Sequence, residues 1–206
     1  MMNRCEQTIL YYEQNAENYV QNTIGVDFTE IAEKFCSYIQ KGGNILDVGC
    51  GSGRDAKFFL ERGYDVQAFD GSSEISSRAT EYLGINVDTK KVQDYVFDMK
   101  FDGIWCCASL LHLTISEIEQ FLMKAEQGLK QHGYIYISFK YGSYQGMRDG
   151  RYYTDQTEES LSKIIENVDG LEIIEMFISG DVLIDREQLW INALLKKIKK
   201  SKYHNE

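Results

Sequence analysis

Residues 44–59 constrain the fold more than any other part of the chain. They read NILDVGCGSGRDAKFF: an apolar run, an acidic residue, glycines at every second position and then a helical pattern. This order predicts a strand that enters a glycine loop, which in turn opens a helix. Glycines at alternate positions let backbone amides approach a ligand with no Cβ in the way, and the first helical turn offers unsatisfied N–H groups. The segment therefore predicts a ligand-binding loop at the end of a buried strand.

Short apolar runs alternate with helical stretches along the next part of the chain. This alternation is typical of parallel strands joined by crossover helices. A Ser-x-x-Glu pattern formed by Ser116 and Glu119 predicts the start of one of these helices. The predicted strands are residues 44–48, 64–69, 86–92, 102–108 and 134–139, and the predicted helices are residues 53–62, 72–83, 116–131 and 157–168.

The two ends of the chain depart from this alternation. Strand-like runs at residues 171–178 and 188–195 are joined by a short link, so they must pair antiparallel, because a parallel return needs a crossover of a dozen or more residues. Residues 140–155 lack clean periodicity and are interpreted as a loop over the ligand-binding face. Amphipathic stretches at residues 7–22 and 28–40 are expected to form helices on the sheet, the first partly covering the ligand crevice.

Length and charge narrow the class of protein. A chain of 206 residues with 43% hydrophobic content is expected to form one domain, which we divide into an N-terminal helical cap (1–42), a cofactor-binding core (43–196) and a basic tail (197–206). The net charge of −10 disfavours a nucleic-acid partner. No apolar run approaches the ~20 residues of a membrane span, and the five cysteines lack a metal-ligand spacing. We expect a cytoplasmic monomer or weak homodimer with no metal site.

Polar residues at predicted strand ends define the candidate site, because ligands of open parallel sheets bind there. Asp70 follows Gly49 at about the 20-residue spacing of an acid that accepts from ribose hydroxyls, which predicts an adenosine-type ligand. A dinucleotide loop would have glycine where this chain has Arg54, and no Gly-Lys-Ser/Thr phosphate loop follows. Asp47 favours an ammonium or sulfonium group over a pyrophosphate; alternatively it is a buried carboxylate that only shapes the loop.

Four successive motifs carry a family resemblance: ILDVGCGSGRD, AFDGSSE, FDGIWCCASLLHL and LKQHGYIYISFKYG. They resemble class I S-adenosylmethionine-dependent methyltransferases over about residues 11–196. The GRD continuation and ASLLHL are similar to a bacterial subgroup of small methyltransferases, tellurite-resistance-like and ubiquinone-methyltransferase-like. The resemblance implies a Rossmann-like α/β fold, with a doubly wound, seven-stranded, mostly parallel sheet and an antiparallel last strand. It also implies S-adenosyl-L-methionine across the strand ends as methyl donor and S-adenosyl-L-homocysteine as product.

The same resemblance assigns the cofactor contacts. The loop glycines would flank the methionine moiety, and Asp70 would bind the ribose. Arg54 could reach the methionine carboxylate, or it could form a plain salt bridge. Gly71 and Ser72 would adjoin the adenosine, Gln93 and Asp94 the adenine edge, and Ala108, Ser109 and Leu110 the sulfonium. The full predicted set is Asp47, Gly49, Cys50, Gly51, Gly53, Arg54, Asp70, Gly71, Ser72, Gln93, Asp94, Ala108, Ser109 and Leu110.

Three residues are the catalytic candidates: His112, Tyr11 and Arg151. His112 follows the fourth strand, where the resemblance places residues near the transferred methyl; it would act as a base or serve as a cap or packing residue. Tyr11, Tyr12 and Tyr19 share one side of the N-terminal helix and could cage a substrate by cation–π attraction or simply pack on the sheet. Arg151 and Arg148 could together hold an anionic substrate.

The acceptor of the methyl group is predicted only by class. The acidic surface and short chain favour a small molecule. Alternatives are methylation of tRNA or protein, or a noncatalytic module that binds S-adenosylmethionine. No Asn-Pro-Pro-Tyr-like base-binding motif follows the fourth strand, where ASLLHL stands instead, and this lowers the tRNA alternative.

Overall fold

The computed structural model describes residues 2–182 and 187–199. Helices and strands follow one another in the predicted α/β order, after two N-terminal helices. The helices are α1 (Arg4–Thr23), α2 (Thr29–Cys36), α3 (Arg54–Glu61), α4 (Ser73–Leu83), α5 (Ile115–Gly128) and α6 (Glu158–Glu166). The strands are β1 (Asn44–Val48), β2 (Asp65–Asp70), β3 (Val87–Thr89), β4 (Phe101–Cys106), β5 (Leu129–Lys140), β6 (Gln145–Arg148), β7 (Arg151–Thr154), β8 (Leu171–Gly180) and β9 (Leu189–Lys197).

Seven strands form the central sheet, in the order β3-β2-β1-β4-β5-β9-β8. The pairs among β1 to β5 are parallel, whereas β9 runs antiparallel to both β5 and β8. The predicted doubly wound sheet with an antiparallel last strand is therefore confirmed. The strand order reverses between β1 and β4, which is where open α/β sheets bind their ligands.

Helices cover both faces of this sheet, and alternate residues of the central strands serve the two faces. In β1, Leu46 packs on the α5 and α6 side, and its neighbour Ile45 packs on the α2 and α3 side. Trp105 of β4 is fully buried and stacks on Tyr136 of β5 at 4.0 Å between ring centroids. Burial on both faces explains why residues 102–108 read as a nearly continuous apolar run.

The N-terminal helix α1 lies across the carboxyl ends of the strands, as predicted. It is kinked at Asn15, whose backbone is non-helical (φ −118°, ψ 15°) and whose side-chain amide donates to the Tyr11 carbonyl at 2.7 Å. Glu13 fixes the helix to the start of α4 by accepting from the Ser73 backbone N–H at 2.6 Å. Thr8 fixes it to β7 by accepting from the Tyr152 N–H at 3.0 Å.

Residues 140–155 correct one prediction, because they form a β-hairpin rather than a loop. Strands β6 and β7 pair antiparallel around Asp149 and Gly150. Both turn residues have positive φ, 50° and 78°, as two-residue hairpin turns require, and Asp-Gly is a strong hairpin signal. The alternation of side chains is weak in β6 because Gly146 contributes none, which is why periodicity alone missed the strand.

Other element boundaries were also displaced from their predictions. The capping box of α5 uses Thr114 and Glu117, not Ser116 and Glu119. Both pairs fit the same sequence pattern. Strand β5 begins at Leu129, directly after α5 ends at Gly128. β3 is limited to three residues. β9 extends through Lys197, and the end of the predicted basic tail, residues 200–206, lies outside the described residues.

Within the described ranges, no helix is both long enough and apolar enough to cross a membrane.

Candidate active site

The loop after β1 has the conformation that only its glycines tolerate. Gly49, Gly51 and Gly53 all have positive φ, at 66°, 56° and 81°, a region that other residues enter at a cost. A Cβ on Gly49 would lie 2.7 Å from the Cβ of Ser109. The loop therefore packs backbone against the end of β4, and glycine is required at position 49 for both conformation and space.

Asp70 joins this loop to the one that follows β2. Its Oδ2 accepts from the Gly51 N–H and its Oδ1 accepts from the Ser72 N–H, both at 3.0 Å. Burial raises the pKa of Asp70, while these backbone N–H groups act in the opposite direction. Ser72 in turn caps α4 by accepting from the Ile75 N–H. The acid predicted to bind ribose thus also holds the two loops together.

Asp47 is a buried carboxylate with one oxygen left without a partner. It is 2% exposed, and its Oδ2 has no hydrogen bond in the part of the chain that the structure describes. Burial, followed by repulsion from Asp55, raises its pKa well above the usual range. Arg54 does not pair with it, because its guanidinium forks onto Asp55 at 2.6 and 2.9 Å. Asp47 is therefore suited to a positively charged ligand group.

Two cavities adjoin each other across the strand ends. The larger, of about 220 Å³, is lined by Asp47 and Arg54, and the smaller, of about 100 Å³, is lined by Asp70 and Gln93. They share a wall made of Tyr12, Tyr19, Gly49, Ala108 and His112. Together they reach the lower end of the ~300–1,000 Å³ range of small-molecule pockets.

Two tyrosines of α1 form the roof at this shared wall. The Tyr19 hydroxyl lies 2.7 Å from the position that a Cβ on Gly51 would occupy, so the helix touches the glycine loop directly. Tyr12 packs edge-on against Tyr19, with 5.1 Å between ring centroids. Burial raises the pKa of both phenols, so they are neutral hydrogen-bonding groups at physiological pH.

His112 sits in a short 3₁₀ turn after β4 with both ring nitrogens engaged. Nδ1 lies 2.6 Å from the carbonyl oxygen of Tyr152 and must donate to it, because a carbonyl only accepts. Nε2 is then the acceptor of the neutral ring, and the Tyr12 hydroxyl donates to it at 2.8 Å. Desolvation lowers the pKa of His112 to about 4. The imidazole is therefore neutral, with its tautomer fixed.

Arg151, at the start of β7, faces the same cavity from the hairpin. Its guanidinium carbon lies 4.2 Å from the ring centroid of Tyr11, and it also faces the rings of Tyr12 and Tyr153 at 5.9 and 5.4 Å. It interacts with the Tyr12 hydroxyl, on which its positive charge acts to lower the pKa against the larger effect of burial. Arg151, Tyr12 and His112 thus form one connected group.

The structure brings most of the predicted residues to the two cavities. Five other predicted residues do not line either of the two cavities. Gly53 caps α3, Leu110 is fully buried in the core, and Asp94 is exposed to solvent. Gly51 is covered by Tyr19, and Tyr11 stacks on Arg151. The larger cavity is lined by Asp47, Gly49, Cys50, Arg54, Ala108, His112 and Arg151, and the smaller by Gly49, Asp70, Gly71, Ser72, Gln93, Ala108, Ser109 and His112.

Several lining residues were absent from the predicted site. Cys107 lines the larger cavity next to Arg54, although its position in an apolar run suggested burial. Trp190 and Asn192 reach the cavity from β9, and Lys140 from the end of β5. The position of Lys140, the last residue of an interior strand, was a usable signal. No local pattern marks the residues of β9.

The sequence is similar to known methyltransferases over part of its length. Residues 45–133 match a family model described as a methyltransferase domain. Ubiquinone biosynthesis O-methyltransferase of Rickettsia typhi is 30% identical over 99 residues, which cover 46% of this chain and 39% of that protein. An uncharacterized methyltransferase of Staphylococcus carnosus is 24% identical over 123 residues, covering 60% of this chain and 58% of that protein. The chain therefore spans less than two thirds of the length of these relatives.

Solved structures match over most of the chain. The 1,6-didemethyltoxoflavin-N1-methyltransferase of Burkholderia thailandensis, with bound 1,6-didemethyltoxoflavin and S-adenosylhomocysteine, superposes with a TM-score of 0.75 at 18% identity, over 92% of this chain and 85% of that one. A TehB-like S-adenosylmethionine-dependent methyltransferase of Corynebacterium glutamicum superposes with a TM-score of 0.69 at 20% identity, over 90% and 99% of the two chains. At these identities the likeness shows a shared fold.

Proposed function

Because this chain carries a methyltransferase domain on the class I S-adenosylmethionine-dependent methyltransferase fold, we propose that it transfers a methyl group from S-adenosylmethionine to a small-molecule acceptor by in-line displacement. S-adenosylhomocysteine would be the product. The observation that carries the proposal is the pair of adjoining cavities at the strand ends, with the unpaired Asp47 carboxylate in one and Asp70 in the other.

The residues present fit such a cofactor. A buried carboxylate oxygen without a partner is costly, and the ammonium group of the methionine moiety would supply that partner to Asp47. Gly49 lines both cavities with backbone atoms alone. In this proposal Asp47, Gly49 and Cys50 hold the methionine end, and Arg54, whose guanidinium is forked onto Asp55, borders it. Asp70, Gly71, Ser72 and Gln93 hold the adenosine end, with Ala108 and Ser109 between the two.

S-adenosylmethionine supplies an electrophilic methyl group when bound, so the chain has to position the acceptor and remove its proton. The Tyr12 hydroxyl donates to His112 Nε2 while its own oxygen keeps lone pairs for the acceptor. A proton from the acceptor would pass to the Tyr12 oxygen as the Tyr12 proton passes to Nε2. The result is an imidazolium at His112 that still donates to the Tyr152 carbonyl. Tyr12, rather than the predicted Tyr11, is the tyrosine in this relay.

The low basicity of His112 determines when this proton moves. A group whose pKa is about 4 cannot ionise a neutral hydroxyl or amine in advance. Addition of a methyl group makes the proton on the accepting atom strongly acidic, so a weak base suffices late in the reaction. The relay therefore supports O- or N-methylation in which deprotonation follows bond formation.

The roof over the site supports a small acceptor. Tyr12 and Tyr19 from α1, together with Arg151 and Tyr153 from β7, all line the larger cavity. α1 is held in place by Glu13 and Thr8. A polypeptide or nucleic-acid acceptor would have to displace these tied elements. A cytoplasmic location and a monomeric or weakly dimeric state stay predictions.

Calorimetric titration tests the cofactor assignment. We expect saturable binding of S-adenosylmethionine and S-adenosylhomocysteine, and none of NAD. Asp70→Asn should weaken binding by about 1–3 kcal/mol through the loss of charged hydrogen bonds, while the exposed Asp65→Asn serves as a matched control on the same strand. NAD binding without adenosylmethionine binding would refute the proposal.

A labelling experiment tests the acceptor class. The protein is incubated with methyl-labelled S-adenosylmethionine and a cell extract separated into small-molecule, protein and RNA fractions. Label is expected in the small-molecule fraction. Transfer confined to the protein or RNA fraction would contradict the small-acceptor assignment while leaving the cofactor assignment intact.

A further inference from the structure

Arg54 and Arg151 line the larger cavity, and Arg148 lies on the same hairpin as Arg151. Arg54 and Arg148 each have a carboxylate partner of their own. Arg54 forks onto Asp55, and Arg148 pairs with Asp155 at 3.4 Å. For Arg151, no carboxylate lies within ion-pair distance among residues 2–182 and 187–199. In the part of the chain that the structure describes, Arg151 is therefore a half-buried cation without a counter-ion.

The surroundings of Arg151 hold the guanidinium in place but satisfy it only in part. Its Nε is buried and has no hydrogen-bond partner among the described residues. The rings of Tyr11, Tyr12 and Tyr153 face it, and cation–π attraction offsets some of the cost of desolvation. The face of an aromatic ring does not accept the N–H hydrogen bonds that a guanidinium directs in its own plane. A planar anion such as a carboxylate would accept them.

The position of Arg151 places such an anion next to the proposed reacting atoms. Arg151 interacts with the Tyr12 hydroxyl, which donates to His112. Lys140 lines the same cavity, with its Nζ 4.6 Å from the ring centroid of Tyr153. A carboxylate on Arg151 would therefore lie beside a second positive charge and within one small molecule's length of the relay.

The distribution of acids agrees with an anion at this end. Asp47 and Asp55 lie at the cofactor end of the cavity, where Asp55 is occupied by Arg54 and Trp105. Asp181, on the wall formed by β8 and β9, accepts from the Trp190 indole N–H at 3.2 Å. Near the glycine loop, Arg54 is matched by Asp55, whereas one oxygen of Asp47 has no hydrogen-bond partner among the described residues. Near the hairpin the cavity is lined by the cations Arg151 and Lys140. This arrangement suits a cationic donor group at one end and an anionic acceptor at the other.

Aromatic side chains define the shape of the space between these charges. Tyr12, His112 and Tyr153 line the cavity around Arg151, and His112 lies 5.0 Å from Tyr153 between ring centroids. Resting on the proposed methyltransferase function, we propose that the acceptor is a small aromatic carboxylic acid whose carboxylate is held by Arg151, with its hydroxyl or amino group directed to Tyr12. Arg148, already paired, takes no part in binding it.

Calorimetric titration of the S-adenosylhomocysteine complex with salicylate and with its neutral analogue salicylamide tests this inference. The wild-type complex is expected to bind salicylate at least about tenfold more tightly than salicylamide, the ratio that a charge-assisted hydrogen bond gives. Arg151→Gln should weaken salicylate binding by about tenfold or more and leave salicylamide within about threefold. Arg148→Gln, which removes the same charge from the same hairpin, should change salicylate binding by less than about threefold.

The outcomes separate this inference from the proposed function. Equal binding of acid and amide by the wild-type complex, binding of neither, or tight salicylate binding by Arg151→Gln would each overturn the assignment of the carboxylate to Arg151. S-adenosylhomocysteine affinity is measured first for every variant and also shows that the variant is folded. Absence of that affinity in the wild-type protein would overturn the cofactor assignment itself. The acid-to-amide comparison in the wild-type complex needs no variant and holds even if Arg151→Gln misfolds.

Discussion

Replacing Asp47 with asparagine is expected to stabilise the free protein and at the same time weaken its affinity for adenosyl ligands. Asp47 is buried, and one of its oxygens has no hydrogen-bond partner among residues 2–182 and 187–199. Burial and the nearby charges of Asp55 and Asp70 raise its pKa, and Arg54 and the Ala56 N–H oppose them only in part. The folded protein without ligand therefore holds a carboxyl group that resists ionisation.

The sign of the effect follows from the raised pKa. An acid whose pKa is higher in the folded state than its unfolded value of about 3.9 loses stability as the pH rises from that value to the folded pKa. Asparagine carries no such cost, so its advantage should grow with pH through this window and then level off. The cost of an unsatisfied buried polar group, about 1–3 kcal/mol, corresponds to a rise in Tm of roughly 2–12 °C for a domain of this size.

Thermal unfolding between about pH 5 and pH 8, with and without S-adenosylhomocysteine, measures both halves of this expectation. The variant should unfold at a higher temperature when free and gain less from the ligand, whose ammonium group loses a charged partner worth about tenfold or more in affinity. Asp65→Asn, an exposed change on the neighbouring strand, is the control. A lower Tm for free Asp47→Asn across this pH range, or unchanged ligand affinity, would refute the reasoning.

Three further predictions concern the loop and the relay. Gly49→Ala should lower the free energy of unfolding by about 1–2 kcal/mol because of its positive φ, and further because the new Cβ would approach Ser109. Gly63 also has a positive φ (82°) but has open space around it, so Gly63→Ala should lose only the first of these amounts. Urea unfolding of both variants measures the difference. Tyr12→Phe should reduce the free energy of unfolding by about 1–3 kcal/mol, because His112 Nε2 is left buried without a donor. Burial lowers the pKa of His112 to about 4, so the free energy of unfolding should fall as the pH drops from about 6.5 toward 4, by up to roughly 3 kcal/mol for this group. His112→Gln should flatten that part of the pH–stability curve. An unchanged curve would contradict the neutral state assigned to His112.

The geometry of the loops that we propose hold the cofactor could be predicted from the sequence because its determinants are local. Gly49 lies just past β1 and Asp70 ends β2, and the two neighbouring parallel strands bring these ends together without further information. Ser72 caps α4 within three residues of its own position. Each of these features is a short-range consequence of a strand that ends in a turn, so a linear reading recovers it.

Local ambiguity explains the boundary errors. Thr114 and Ser116 both stand three residues before a glutamate, and α5 uses Thr114 as its cap. Ile118, Phe121 and Leu122 lie inside the helix with either start, so the apolar periodicity does not distinguish the two caps. In β6, Gly146 interrupts the alternation that would identify a strand, although the Asp-Gly turn beside it was a sufficient signal.

The half of the site that we propose binds the acceptor required the tertiary structure, because its residues come from segments far apart in sequence. Tyr12 and His112 are a hundred residues apart, and which tyrosine of α1 reaches His112 depends on the helix rotation that Glu13 and Thr8 fix through contacts with α4 and β7. Tyr11 and Tyr12 are adjacent in sequence, yet one donates to His112 while the other stacks on Arg151. A helix turns by about 100° per residue, so Tyr11 and Tyr12 point in different directions and, of the two, Tyr12 reaches His112. In the proposed function, acceptor specificity therefore depends on the docking of α1 and the β6–β7 hairpin on the sheet. We expect changes in those two elements to alter the acceptor while leaving adenosyl-ligand binding in place.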